Sequence, residues 1–316
     1  MTHAHRHTPL TTAHEDHHAG HGQQGQQCQQ GHGTVPGDPH DHNHDHGSHD
    51  QGLILDLDAR VMARRTEDVI DWLPLRDAPE QILDLGCGTG AGTLPLLDRF
   101  PEARVTAVDA SAEHLDRLRA KAREAGTLDR VRTVLADLDA ADWPDLGTPD
   151  LVWASASLHH MADPDLALRR VRDLLAPNGL LALVELSGFP RFLPEDAPER
   201  RPGLEEVLHS VSDRWHAGHV PHRGADWTRK LSAAGFGIEA ERTVTATVEG
   251  AGNPTVVEYA LASLRRLREG VADELSAGDL AALDGLLDTD APDGIAHRDD
   301  LTVRTTRSVW AARRAD

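Results

Sequence analysis

Apolar positions are sparse over the first 51 residues and then settle into alternating strand and helix periods. Residues 1–51 hold thirteen of the 21 histidines and a Gly/Gln run over 20–33. With so little to bury, this stretch is expected to be disordered. From Leu53 the spacing of Leu53, Leu57, Val61, Met62, Val69 and Leu73 predicts one or two helices, ended by Pro74 and Pro79. Short apolar runs then predict five strands, at 82–85, at 104–109, at 131–138, within 150–160 and within 174–185. Helical spacing lies between them. Leu115, Leu118 and Ala122 share a face, with Ser111 as N-cap and Gly126 as stop. Leu168, Val171 and Leu175 repeat the pattern, and a shorter helix over 227–234 ends at Gly235. Residues 237–248 and 301–313 read as two last strands.

Strand–helix alternation of this kind argues for a parallel sheet with helices on both faces. The expected fold is a Rossmann-like, doubly wound α/β domain over residues 52–316, with core motifs in 82–185. Two insertions interrupt it, at about 186–224 and 250–298. In the second, Val257, Ala260, Leu264 and Leu267 mark one amphipathic helix, and Leu280, Leu283 and Leu287 another. The capping box Ser276-x-x-Asp279 opens the latter. These helices could serve as a lid or as a homodimer surface.

The densest chemical signal is the run from Ile82 to Thr93, where an apolar strand closes on Asp84 and a turn carries Gly86, Gly88, Gly90 and Gly92. Such a turn lets backbone approach a ligand where a Cβ would clash. A helix starting just after it offers unpaired N–H groups. Gly86-x-Gly88-x-x-Ala91 formally fits the dinucleotide pattern. Asp84-x-Gly86-x-Gly88-x-Gly90 fits another, in which an acid precedes the first glycine by two residues. That acid would repel a pyrophosphate and favour an ammonium or sulfonium.

This second pattern resembles motif I of the class I S-adenosylmethionine-dependent methyltransferases. The downstream order is similar too. Asp109 ends the second predicted strand, Asp137 follows the third, Leu158-His159-His160 follows the fourth, and Pro177-Asn178-Gly179 precedes the fifth. The resemblance implies a seven-stranded, mostly parallel sheet with an antiparallel last strand. It also implies S-adenosylmethionine as cofactor, with contacts at Asp84, Gly86, Cys87, Gly88, Gly90, Asp109, Ala110, Asp137, Leu138 and Ser155. Asp109 would hold the ribose hydroxyls, Asp137 would face the adenine amino group, and Leu138 would pack on the ring. Within the family the chain looks most similar to small-acid and natural-product methyltransferases of the trans-aconitate type.

Charge narrows the acceptor. A net charge of −20 without a long basic stripe disfavours nucleic acid but leaves a protein acceptor open; the resemblance implies a small-molecule methyl acceptor as the expected partner. Two cysteines, Cys28 and Cys87, give no disulfide framework. No run approaches a membrane span, and the N-terminus lacks an apolar export core, so a cytoplasmic location is expected.

Methyl transfer from a sulfonium needs mostly proximity and orientation, and a base only for a poor nucleophile such as a hydroxyl. His159 and His160, beyond the fourth strand, are the candidate bases. Phe189, Phe192 and Trp215 are candidate pocket walls. Glu185 ends the fifth strand, where it could reach the pocket or pair with an arginine. In the tail, His40, His42, His44, His46 and His49 present imidazoles that suit Zn, Ni or Cu. Two other functions stay open at this point: a metal-binding or storage protein acting through that tail, and an NAD-dependent oxidoreductase using the same glycine turn.

Overall fold

The computed structural model describes residues 43–315, with side chains from residue 51 onward. Helix α1 (Asn43–Trp72) begins inside the polar stretch that composition reads as disordered, and runs unbroken through the apolar positions after Leu53. The alternating unit follows as β1 (Gln81–Leu85), α2 (Thr93–Arg99), β2 (Arg104–Asp109), α3 (Ala112–Glu124) and β3 (Val131–Leu135). It continues as β4 (Leu151–Ser155), α4 (Pro164–Leu174) and β5 (Leu180–Leu186). After β5 come α5 (Leu204–His219), α6 (Trp227–Ala233), β6 (Phe236–Glu249), α7 (Pro254–Val271), α8 (Ala277–Leu287) and β7 (Thr302–Arg314).

The predicted caps at Ser111 and Ser276 form, and Asp163 adds a third. Ser111 Oγ accepts from the His114 N–H and opens α3, Asp163 accepts from the Leu166 N–H and opens α4, and Ser276 accepts from the Asp279 N–H and opens α8. The Asp279 carboxylate in turn accepts from the Ser276 hydroxyl at 2.6 Å.

The strands form one sheet in the order β3-β2-β1-β4-β5-β7-β6. β1 to β5 pair in parallel, and β7 runs antiparallel to both of its neighbours. Side chains alternate between two covered faces, which explains the near-continuous apolar runs of the central strands. Ile82, Leu151, Trp153, Leu180 and Ala182 pack with α2, α3 and the end of α1 on one face. Leu83, Leu85, Val152, Leu181 and Leu183 pack with α4, α6 and Trp310 on the other.

β6 and β7 outrun β5. Their pairing continues to Glu249↔Thr302, whereas β5 stops opposite Arg307. A third core closes over that overhang. Leu301 and Val303 pack there with Leu57 of α1, Leu204 and Leu208 of α5, Tyr259 and Leu264 of α7 and Leu283 of α8. The apolar stripes of the second insertion are thus used within the chain, as a helical layer beside the sheet.

A polar knot ties this layer to the rest. Arg307 on β7 donates to both Asp58 oxygens at 2.7 Å, and the Tyr259 hydroxyl donates to Asp58 at 2.8 Å. Asp58 therefore joins α1, α7 and β7 at one carboxylate. Asp58→Ala would leave the Arg307 guanidinium in a largely buried site without its counter-charge. We expect it to lower stability by about 3 kcal/mol, read as a drop in urea midpoint at unchanged slope.

Candidate active site

The register of β1 with its two neighbours assembles the site. Leu85 stands opposite Val108 on β2 and Ala154 on β4, so Gly86, Asp109 and Ser155 leave the sheet side by side at its carboxyl edge. The chain order reverses here, with β2 on one side of β1 and β4 on the other. Ligands of open α/β sheets bind at such a switch point.

Gly86 has φ +64°, and a Cβ there would lie 2.4 Å from the Ser157 Cβ. Only glycine fits this turn. Ser157 is itself fixed, its hydroxyl donating to the Leu85 carbonyl at 2.8 Å. The turn is bound to β2 by the Cys87 N–H on the Val108 carbonyl and by the Gly88 N–H on Asp109 Oδ2, at 2.9 and 2.8 Å. Asp109 Oδ1 accepts from the Ser111 N–H at 2.9 Å and lies 3.2 Å from His114 Nδ1. Partial burial would raise the Asp109 pKa, but the hydrogen bonds from His114, Ser111 and Gly88 outweigh it and lower the value. Asp109 is thus a fixed carboxylate whose oxygens keep lone pairs for further donors. Ala110 beside it is exposed, as is Asp137, while Leu138 is half-buried against the second core.

Asp84 lies behind the turn, 2 % exposed, accepting from the Thr93 hydroxyl at 2.6 Å. Desolvation, reinforced by the Asp109 charge against the Thr93 bond, raises its pKa to about 7. Cys87 is buried, and desolvation with the nearby Asp84 and Asp109 charges pushes its thiol pKa up. It fills the turn as a protonated thiol and is no nucleophile.

Helix α1 lies along the turn. A Cβ at Gly88 would meet Leu55 Cδ1 at 3.3 Å. Asp56 pairs with Lys121, which also donates to the Thr89 carbonyl at 2.9 Å, and with Arg117 at 3.2 Å. Burial would raise the Asp56 pKa, but these bonds and charges lower it. Sequence spacing marks the apolar stripe of α1 and carries no sign of this polar clasp.

On the β4 side, Ala156 takes φ +51°, a strained value for a residue with a side chain, and turns the backbone out of the sheet. The short 3-10 turn Leu158–His160 follows. His159 is buried, and its Nδ1 lies 2.5 Å from Glu185 Oε2 at the end of β5. Glu185 therefore pairs with a histidine rather than an arginine. The pairing follows from the parallel register, which sets Ser155 opposite Val184. The second Glu185 oxygen is buried without a hydrogen-bond partner among the described residues.

The His160 ring lies 4.1 Å from the His159 ring, centroid to centroid. The residue reaches solvent at its edge, but partial desolvation, then the charges of His159, His216 and Arg223, lower its pKa to about 4. Its imidazole is neutral at neutral pH and a weak proton acceptor. Of the two candidate bases, His159 has the orienting partner.

The three aromatic candidates separate. Phe189 is partly exposed beneath the Arg223 guanidinium, 4.2 Å from ring centroid to Cζ, and lies 5.0 Å from the His216 ring. Trp215 is exposed and stacks on His219 at 4.0 Å. Phe192 is no pocket wall: it is 1 % exposed and packs edge-on against Tyr259 in the helical layer. Its apolar neighbours along the chain cannot show which core takes it. Arg223 was not legible from sequence, since a lone arginine in a loop has no periodic signal.

Of the tail histidines, His40 and His42 lie outside the described residues, and so do the side chains of His44, His46 and His49. Among the described residues no cluster of three or more His, Cys, Asp or Glu could hold a metal ion. No described helix is long and apolar enough to cross a membrane. A cavity of about 290 Å³ bounded by Gln81, Arg104, Arg130 and Arg132 lies at the opposite, amino edge of the strands.

Residues 82–179 match the family model described as a methyltransferase domain. Malonyl-[acyl-carrier protein] O-methyltransferase of Halorhodospira halophila is 37 % identical over 150 residues, 46 % of this chain and 48 % of that protein. Trans-aconitate 2-methyltransferase of Methylobacterium radiotolerans is 38 % identical over 120 residues, 38 % and 43 % of the two chains. The 27-O-demethylrifamycin SV methyltransferase of Amycolatopsis mediterranei is 33 % identical over 165 residues, 52 % and 60 %. The chain spans about half the length of these curated relatives. A Bacillus halodurans C-125 protein provisionally designated a methyltransferase shares the fold, with TM-score 0.51 at 18 % identity over 79 % of this chain and 99 % of that one. Residues 82–179 thus carry a methyltransferase domain. The dinucleotide reading of the glycine turn is set aside with this match.

The raised Asp84 pKa has a signed consequence. Between the unfolded value of 3.8 and about 7 the folded chain holds a proton that the unfolded chain releases. Its stability contribution therefore falls as pH rises through that window and levels off above it. Asp84→Asn removes this dependence. The variant should gain thermal stability relative to the parent protein between pH 5 and pH 8, and an unchanged difference in melting temperature would contradict the assignment.

Proposed function

We propose that the chain is an S-adenosylmethionine-dependent O-methyltransferase acting on a small-molecule hydroxyl. The observation that carries this reading is the buried His159–Glu185 pair, placed beside the glycine turn at the same sheet edge. When bound, S-adenosylmethionine supplies a methyl group already activated by the sulfonium charge.

The residues present fit that group. The Gly86–Gly90 turn admits a ligand edge, Asp109 can accept from two vicinal hydroxyls, and Asp84 is a buried acid suited to a cation. Ser155 and Ala110 line the same edge, and Asp137 and Leu138 follow β3 beyond it. A cation next to Asp84 would favour its ionised form, so cofactor binding should release a proton near neutral pH.

Glu185 accepts the Nδ1 proton of His159 and fixes that tautomer, leaving the Nε2 lone pair to take a proton from the acceptor hydroxyl. Strand ends and the strained Ala156 turn hold the pair, so it needs little reorganisation. The names of the relatives, several of them O-methyltransferases or acting on acids, support a small acceptor. The net charge of −20 favours such an acceptor over nucleic acid.

Calorimetric titration with S-adenosylhomocysteine, with NAD as control, tests the cofactor. Micromolar binding of the first and none of the second is expected, and binding of NAD alone would overturn the reading. Asp109→Ala removes charge-assisted hydrogen bonds worth roughly 1.5–3 kcal/mol each, and should weaken S-adenosylhomocysteine tenfold or more.

With an acceptor found by screening, His159→Gln and Glu185→Gln should each lower kcat more than tenfold while leaving the S-adenosylhomocysteine Kd in place. A Gln at 185 can donate to Nδ1 and so stabilises the wrong tautomer. Turnover unchanged in both variants removes the base from the mechanism.

A further inference from the structure

On the acceptor side of the His159–Glu185 pair, three buried polar atoms have no hydrogen-bond partner among the described residues: Glu185 Oε1, His209 Nε2 and Arg223 Nη1. The Arg223 and His209 side chains flank one ring, with His209 Nε2 also 3.8 Å from the Glu205 carboxylate. Phe189 lies 6.5 Å from the His209 ring and 4.2 Å from the Arg223 Cζ, and follows Glu185 on the segment leaving β5. Arg223 is the informative member. Its side chain is 11 % exposed, its Nη2 donates to Asp213 at 2.6 Å, and one face of the guanidinium covers Phe189. That leaves the buried Nη1 as a donor with nothing to donate to. A desolvated guanidinium N–H without an acceptor is costly even where another N–H of the group is paired, and carboxylate oxygens are the acceptors that match it.

The neighbours decide what else the site admits. His160 and His216 both have lowered pKa values, so neither adds a standing positive charge at neutral pH. Of His160, His216 and Arg223, Arg223 is then the charged group, paired on one side with Asp213, in a chain of net charge −20. An anion arriving here gains one specific charge-assisted contact against a general repulsion. A neutral isostere would leave Nη1 unpaired. The partly exposed Phe189 and half-buried His216 rings offer flat surfaces beside that donor.

We propose that Arg223 Nη1 binds a carboxylate on a flat organic acceptor, so that the molecule methylated is a hydroxy acid held at its acid end by Arg223 and at its hydroxyl end by His159. The second half of this statement rests on the methyltransferase reading above; the carboxylate subsite does not.

The experiment observes the ¹⁹F signal of 4-fluorobenzoate and of 4-fluorobenzamide over the full-length protein, with and without S-adenosylhomocysteine. Millimolar binding of the benzoate is expected, with the benzamide at least tenfold weaker. Arg223→Gln should abolish that preference. Arg223→Lys keeps the charge but not the fork, and should retain the preference at several-fold lower affinity. The lysine variant also carries the test if the glutamine variant does not fold. Equal binding of the two probes, no binding of the benzoate, or an undiminished preference in Arg223→Gln each overturns the subsite. Failure of S-adenosylhomocysteine to bind, with the benzoate preference intact, overturns the methyltransferase reading and leaves the subsite standing.

Discussion

The site depends on the parallel register of β1 with β2 and β4. That register ends three strands level, so that a glycine turn, a carboxylate and a strained loop emerge within hydrogen-bond reach of one another. Gly86 can approach Ser157 only because it lacks a side chain, and Asp109 can hold the turn only because Val108 stands opposite Leu85. A slip of one residue would turn Asp84 out of its buried place and expose the apolar faces of the central strand. The two apolar cores on either face of the sheet set the register, and the register sets the site.

A second division of labour lies in the ionisable groups. Asp109 and Asp56 have hydrogen-bond donors and stay charged, whereas Asp84 is desolvated and has a pKa near neutrality. Across the edge, His159 has a carboxylate partner and His160 is partly desolvated beside Arg223. Adjacent residues of the same type thus receive different chemistry from their surroundings. The helical layer of α5, α7 and α8 adds Phe192 and Tyr259 to a core of its own, while α5 and the loop after it bring His216 and Arg223 against Phe189.

Much of this was legible beforehand. The strand and helix periods, the caps at Ser111 and Ser276, the glycine turn and the acids at 84 and 109 are local signals. Each rests on a few consecutive residues whose spacing meets a geometric need. Phe192 shows where that stops: its composition and position matched those of Phe189, yet one is core and the other partly exposed. The clasp of Asp56 with Lys121, the knot of Asp58 with Arg307 and Tyr259, and the isolated donor of Arg223 join residues far apart in sequence, with no period to betray them.

The sequence by itself determined the order of elements and the identity of the glycine turn, because hydrophobic period and backbone freedom are properties of neighbouring residues. Tertiary structure alone decided which histidine is oriented, which phenylalanine is covered and which acid keeps its proton. Those outcomes depend on burial and on charges brought close by the register of distant strands, and neither quantity is written in a local run of residues.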